Sequence, residues 1–467
     1  MATARFVANL RPQTVEIFDA AGYRPEGWLL SSHRLNRRTA ALAEWAREKG
    51  YDLFADNGAK DDIEQVIDLH RAAQEPLRHR IRDLRRSLGR DRRIPWPREV
   101  PAGLRRDARR AARDVVSEVE RVLDARPPAR ILDEQLSMDP THLIAPEDIT
   151  NACLIGLGLE REITGWTTAD YRARARITVD RWEAARSDPR CRDVRVYATL
   201  GAPDYNAARS VAAMFARAGI DRVAFGFAGV NLDATALDVF WCGNRRALAV
   251  PAPRRHVRTA EVLFGIRDGY RDERRRLRGF HALGLGSRAQ LTVLAASMDW
   301  YTDISVDAMS AVYDAVRDRT LYSSRGWGDR IGVLEGAQSV LAGSDPGLRS
   351  TFLRRLRRSH GHSPGDARAW WESVQRRDPT LADLAPAEPL GTALPVFATA
   401  RGGSDAEQSR ARTGHNHAVV DDLMGAIPSS RRADWGREAI ATVADQRTGP
   451  TRRGLLAAGQ IATTAGE

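Results

Sequence analysis

The chain has 467 residues, 72 of them Lys or Arg and 61 Asp or Glu, for a formal charge of +11. That length supports one large domain with an extension, or two domains, and composition (43% apolar, 28% charged) is that of a globular protein. No apolar run approaches the roughly 18 residues a membrane helix needs, which excludes a membrane-spanning protein.

Nearly all the positive charge is arginine, with lysine only at Lys49 and Lys60. Such a surplus of base over acid points to a polyanionic partner, and nucleic acid is the natural one. Cys153, Cys191 and Cys242 are odd in number and form no Cys-x-x-Cys pair, which argues against a disulfide framework and against a zinc site built mainly from thiolates. The opening stretch MATARFVANLRPQ lacks the uninterrupted apolar core of a secretory signal, so a cytoplasmic protein is expected.

In chain order, short apolar runs alternate with amphipathic helical stretches from residue 27 to about 345. WLLSS (28–32), DLFAD (52–56), EQLSM (134–138), RVYATL (195–200), RVAFGFAG (222–229), GFHALGLG (279–286) and TDISV (302–306) predict strands. Arg37 to Lys49, Tyr205 to Ala218 and Ser287 to Ser297 predict helices, because apolar residues recur there three or four apart. Strands that are apolar throughout belong to a parallel sheet covered by helices. No dinucleotide fingerprint follows an early strand, so the pattern favours an α/β fold of irregular (β/α)8 TIM-barrel type over a doubly wound sheet.

An insertion from about Leu77 to Arg130 carries RHRIRDLRRSLGRDRRIPWPR and GLRRDARRAARDVVSEVERVL, both strongly basic and helical in pattern. It fits a solvated helical hairpin or a nucleic-acid surface, since arginines outnumber the acids that would pair with them. Residues 1–345 therefore read as the barrel with its insertion, and 346–467 as a basic, mainly helical extension. In the extension Arg354, Arg355, Arg357 and Arg358 precede Trp370 and Trp371, aromatics that would stack bases or fill a core. After about Gln446 the chain is rich in Gly, Ala and Thr without periodicity, and disorder is expected.

Catalytic groups of βα-barrels sit at the C-terminal ends of strands. Three expected strand ends carry an acid: Asp56, Asp139 and Asp307. Each has a local explanation, as a turn or helix cap, but several carboxylates gathered in one mouth repel each other unless function keeps them there. A pair in which one carboxylate is nucleophile and the other acid and base cleaves glycosidic bonds with retention. Glycines in FGFAG (225–229) and LGLGS (283–287) would let backbone amides approach a flat ligand such as a purine. His281 fits a buried core histidine or a substrate contact.

DLFADNG (52–58), SMDPTHLIAPEDIT (137–150), FGFAG (225–229), GFHALGLGS (279–287) and SVDAMS (305–310) together resemble the successive motifs of the queuine and archaeosine tRNA-guanine transglycosylase superfamily. The likeness is greatest to its DNA-acting branch, which replaces guanine in DNA with a 7-deazaguanine. The resemblance implies an irregular TIM barrel in which Asp307 is the nucleophile at C1′ and Asp56 the general acid and base, although FADNG departs from the family's more usual Asp-Ser-Gly-Gly. It implies base recognition by Asp139, with Asp148 of the PED segment as a substitute. Gly226 would meet the purine carbonyl, and Gly284 and Gly286 would shape a loop beside the heterocycle. The tRNA enzymes carry a zinc site of clustered cysteines after the nucleophile strand, and this chain has no cysteine after Cys242. His415 and His417 would have to hold a metal without thiolates, so no cofactor is expected.

On this resemblance the enzyme exchanges guanine in DNA for 7-cyano-7-deazaguanine, with other proteins of a DNA-modification system as partners. Rival readings are a tRNA-guanine transglycosylase, a non-catalytic nucleic-acid-binding relative of such enzymes, and a sugar-cleaving barrel.

Overall fold

Eight parallel strands close on themselves in the computed structural model, which describes residues 3–20, 24–87, 97–159, 161–226, 235–241, 244–285, 288–297, 301–307, 310–317, 320–322, 330–332, 413, 416–417, 420, 432–445 and 447–466. In chain order the first six are β1 (Thr3–Asn9), β2 (Gly27–Ser31), β3 (Asp52–Asp56), β4 (His142–Ile144), β5 (Arg195–Thr199) and β6 (Arg222–Gly226). An antiparallel hairpin, β7 (Thr235–Trp241) and β8 (Asn244–Pro253), interrupts the series. The barrel resumes with β9 (Leu277–Leu283), which pairs with β6, and β10 (Tyr301–Asp307), which pairs back onto β1. Two short strands, β11 (Thr320–Tyr322) and β12 (Arg330–Gly332), form a separate antiparallel pair.

The helices complete an irregular (β/α)8 TIM barrel. α1 (Pro12–Ala20) and α2 (Arg37–Glu48) follow β1 and β2, and α2 starts at a capping box between Asn36 and Thr39. Four helices separate β3 from β4: α3 (Ala59–Ala73), α4 (Glu75–Ser87), α5 (Ala102–Ala125) and α6 (Pro128–Leu136). Beyond β4 come α7 (Thr150–Gly156), α8 (Arg161–Thr164) and α9 (Thr168–Ser187), then α10 (Tyr205–Arg217), α11 (Arg254–Asp272), α12 (Arg288–Ala296) and α13 (Ser310–Val316). α14 (Arg432–Asp445) and α15 (Gly449–Gly466) end the chain.

Both faces of the barrel strands are apolar, for different reasons. Successive side chains point to opposite faces, so Trp28, Leu30, Leu53, Ala55, Ile304 and Val306 pack outward against the helices. Their neighbours Val7, Leu29, Phe54, Ile144, Tyr197 and Ala224 form a separate cluster inside the barrel. Below that layer a polar plug closes the N-terminal end. Arg5 bonds to Asp52 and Asp303 and donates to His142 Nε2 at 2.9 Å. Burial, with Arg5 and Arg195 beside it, holds His142 well below the usual imidazole range, so the ring is a neutral acceptor. Phe54 is stacked between His142 at 4.0 Å and His281 at 5.1 Å.

Two expectations are overturned, and one strand is added. EQLSM does not form a strand: Ile131 and Gln135, one turn apart on α6, are the buried pair, and Gln135 Nε2 donates to Ala55 O (2.9 Å) and Ile144 O (2.7 Å). The strand at this point is the three-residue β4. β1, within the opening stretch read only for export, is the strand that closes the barrel. Finally, the stretch after Gln446 is not disordered, because 449–466 is helical and buries Leu455, Ala458 and Ile461 in the core shared with the barrel. Small residues let the final helices approach closely. A Cβ on Gly436 of α14 would lie 2.1 Å from Ala296 N of α12, and one on Gly454 of α15 would lie 2.8 Å from His256.

The insertion is helical as expected. Leu104, Ala108, Ala112, Val115, Val119 and Val122 line one face of α5 and join residues of α3 and α7 in a second apolar core. Arg354, Arg355, Arg357, Arg358, Trp370 and Trp371 lie outside the described residues. Among the described residues no helix is long and apolar enough to cross a membrane.

Candidate active site

Alternation along the strands determines what lines the barrel mouth. Two residues beyond the interior apolar layer, the last inward positions are Asn9, Ser31, Asp56, Thr199, Gly226, Leu283 and Asp307, while the short β4 ends within that layer at Ile144. The C-terminal end of the barrel is thus a ring of two carboxylates, three small polar side chains, a glycine and a leucine.

Asp56 ends β3, and the next two residues turn the chain into α3. Gly58 has φ +78°, and a Cβ there would also meet the His33 ring at 2.5 Å, so only glycine fits. Its amide donates to Asp56 Oδ2 at 3.2 Å, while Ala59 N donates to Asn57 Oδ1 at 2.9 Å. Asn57 Nδ2 reaches across to Ala145 O (2.9 Å) and Glu147 Oε1 (3.3 Å), tying the β3 loop to the β4 loop. Arg126, just past α5, holds the same turn through Asn57 O at 3.2 Å and Ser32 Oγ at 2.6 Å.

Asp307 ends β10 and is 8% exposed. Gly284, at φ +72°, donates its amide to Asp307 Oδ1 at 2.9 Å. His281 lies one layer below, fully buried, with Nδ1 2.8 Å from Ser305 Oγ and Nε2 3.6 Å from Asp307 Oδ1. Burial pushes its pKa down to about 3, so the ring is neutral. It lies beneath Asp307, fully buried, which fits the core-histidine reading and not the substrate contact.

Electrostatically the mouth is under load. Burial pushes the Asp56 carboxyl up to about 6, against hydrogen bonds from Gly58 and Ser31 that lower it. Burial likewise raises Asp307 to about 7, and the charge of Asp56 adds to the rise. Glu147, just beyond β4, is pushed to about 8 by burial and by Asp56. Asn9 lies beside Asp307 and Thr199 beside Glu147, and each lowers the carboxyl it faces, as Ser31 does for Asp56. Three buried acids with raised pKa values, each faced by a small polar side chain, form a site suited to a polar ligand.

Of the residues singled out in the sequence, Asp56, Asp307, Gly226 and Gly284 meet here. A Cβ on Gly226 would enter open space, so the glycine leaves room at the mouth. Asp139 does not join them. It precedes β4 at the opposite end of the barrel, with φ +46° and a side chain 66% exposed and paired with Arg47. Asp148 is turned away, bound to Arg174 Nη2 at 2.6 Å and capping Thr150 N at 2.9 Å. The acid that β4 delivers is Glu147, which the sequence reading passed over, as it did Asn9, Ser31 and Thr199. Gly286 and His415 lie outside the described residues, and His417 is buried against Phe6 and Phe18.

Comparison of the chain with family models and with curated proteins returns no match. Among the described residues no group of three His, Cys, Asp or Glu side chains is placed to hold a metal ion. What the arrangement offers is carboxylate chemistry: one carboxyl held by a backbone amide, a second of intermediate pKa, and a third acid beside them.

Proposed function

We propose that this protein is a DNA-guanine transglycosylase, exchanging guanine in DNA for 7-cyano-7-deazaguanine through an ester between Asp307 and deoxyribose. The observation that carries the reading is the convergence of Asp56 and Asp307 in one barrel mouth, each held by a backbone amide, from Gly58 and Gly284. The order of the five motifs supports it, as does the basic balance of the chain.

On this reading a target nucleotide is turned out of the stack into the mouth. The Asp307 carboxylate, oriented by the Gly284 amide, attacks C1′; the C1′–N9 bond breaks, and Asp56 gives its proton to the departing guanine. The incoming 7-deazaguanine then yields its N9 proton to Asp56 while N9 attacks C1′, releasing Asp307. Two inversions leave the configuration retained. Glu147 faces the donor edge of the base in place of Asp139, with Thr199 beside it, and Gly226 leaves space for the ring. The protein acts in the cytoplasm with other proteins of a DNA-modification system.

The test is base exchange: protein, duplex DNA or tRNA, and excess 7-cyano-7-deazaguanine, followed by nucleoside mass spectrometry. Incorporation into DNA that Asp307→Asn abolishes is the expected result. Incorporation into tRNA alone would move the chain to the tRNA-acting enzymes, and full activity of Asp307→Asn would overturn the assignment of the nucleophile.

A further inference from the structure

Away from the mouth, the first half of α5 borders a concave surface of about 450 Å³ lined by Arg98, Arg105, Arg106, Arg109 and Arg113. Val100 and Ala102 complete the lining, which among the described residues contains no acid. Arg105, Arg109 and Arg113 follow at steps of four residues, so their side chains form one stripe rising about 6 Å per step. The apolar face of α5 packs on α3 and α7, and this stripe flanks it. Asp107, which lies between Arg106 and Arg109 in sequence, is committed to Arg80. Among the described residues, none of the five arginines forms an ion pair with a carboxylate.

Five guanidiniums side by side repel one another, and a protein that keeps them unpaired in a concavity gains only when an anion lies across them. Two are already fixed or short of partners: Arg109 Nε donates to Thr164 O at 2.9 Å, and the buried Nε of Arg105 has no partner. The spacing favours a repeating polyanion over a single phosphate. α5 then runs on toward the mouth, where Arg126 holds the turn carrying Asp56. From Arg113 to Arg126 is about 20 Å at helical rise, so the groove and the mouth belong to one stiff element.

We infer that this arginine groove binds the phosphate backbone of duplex DNA at a distance from the nucleotide in the barrel mouth. The inference rests on the proposed function only in the choice of duplex DNA as the polyanion. In it the insertion is a docking arm: α5 carries the backbone contact near its start, and Arg126, just past its end, holds the turn that follows Asp56.

The test is equilibrium binding of a fluorescent duplex to the full chain as a function of salt. Arg106→Glu/Arg113→Glu changes two exposed side chains, and Arg172→Glu/Arg186→Glu, on the outer face of α9, is the control of equal charge. Thermal melting checks that both fold. The groove variant should bind at least about tenfold more weakly at moderate salt and lose about two from the slope of log affinity against log salt, about 0.9 per phosphate contact. The control should change neither. Equal weakening in both variants, an unchanged slope in the groove variant, or a wild-type preference for an RNA stem-loop over duplex DNA would each overturn the inference. Base exchange is scored separately: arginine-dependent binding without exchange sinks the transglycosylase reading and leaves the groove, and exchange with arginine-independent binding does the reverse.

Discussion

Asp307 shows at the level of one side chain what the mouth demands of the fold. Its carboxyl is held at about 7, above the ordinary carboxylate value, so the folded protein keeps a proton the unfolded chain releases. The stability this represents is complete below the ordinary value and is lost as pH rises through about 7. Asp307→Asn cannot ionise and should escape that loss. Denaturant unfolding should find it close to wild type at pH 4 but more stable by roughly 2 kcal/mol at pH 8; equal stability at both pH values would mean that the mouth is not strained. The same scale separates Glu147 from Asp139. Glu147→Gln should reduce base exchange at least about tenfold, whereas Asp139→Asn, at the far end of the barrel, should leave it unchanged, measured as initial rates on one duplex. Asp56 and Asp307 were legible because each ends an unmistakable apolar strand. Asn9, Ser31 and Thr199 were not, because a strand apolar on both faces hides which of its residues point inward.

Elements were legible where their period was long and clean. β3, β5, β10, α2 and α10 lie within a residue or two of their expected bounds. β4 was missed because three residues carry no period, and its place was given to EQLSM, whose apolar spacing belongs to a helix. α15 was missed because its buried face is largely alanine and glycine, which contribute little apolar contrast in sequence but allow close helix packing. The α10–α11 contact shows the same device. A Cβ on Gly269 would lie 2.4 Å from Arg209 O and 2.7 Å from the Ala212 Cβ. Alanine is favoured over glycine in a helix by about 1 kcal/mol, but here the two backbones would have to separate, so Gly269→Ala should destabilise by about 2 kcal/mol. Gly103→Ala in α5, with open space around it, should be neutral or stabilise by up to about 1 kcal/mol. Paired thermal melts decide this, and a Gly269→Ala protein as stable as wild type would show that the helices yield freely.

At the level of the whole molecule, the last two helices pack on the barrel. α14 and α15 share one core with the barrel helices, with Ile440, Val443, Leu455 and Ile461 buried beside Val257, Leu294 and Ala296. Ending the chain after residue 431 should therefore uncover the apolar flank of α11 and α12 and abolish cooperative unfolding. A truncated chain with a sharp, wild-type-like melting transition would show that the barrel stands without them.

The polar plug around Arg5, with Phe54 clamped between two imidazoles above it, has a consequence for the order of events. It leaves the barrel with one door. A base released in the mouth cannot leave through the floor, so the leaving base must depart by the opening through which its replacement arrives. On the proposed function the enzyme therefore waits, loaded and empty-handed, between two half-reactions. Initial rates with DNA and the incoming base varied together should give parallel double-reciprocal lines; intersecting lines would mean that both bases occupy the mouth at once.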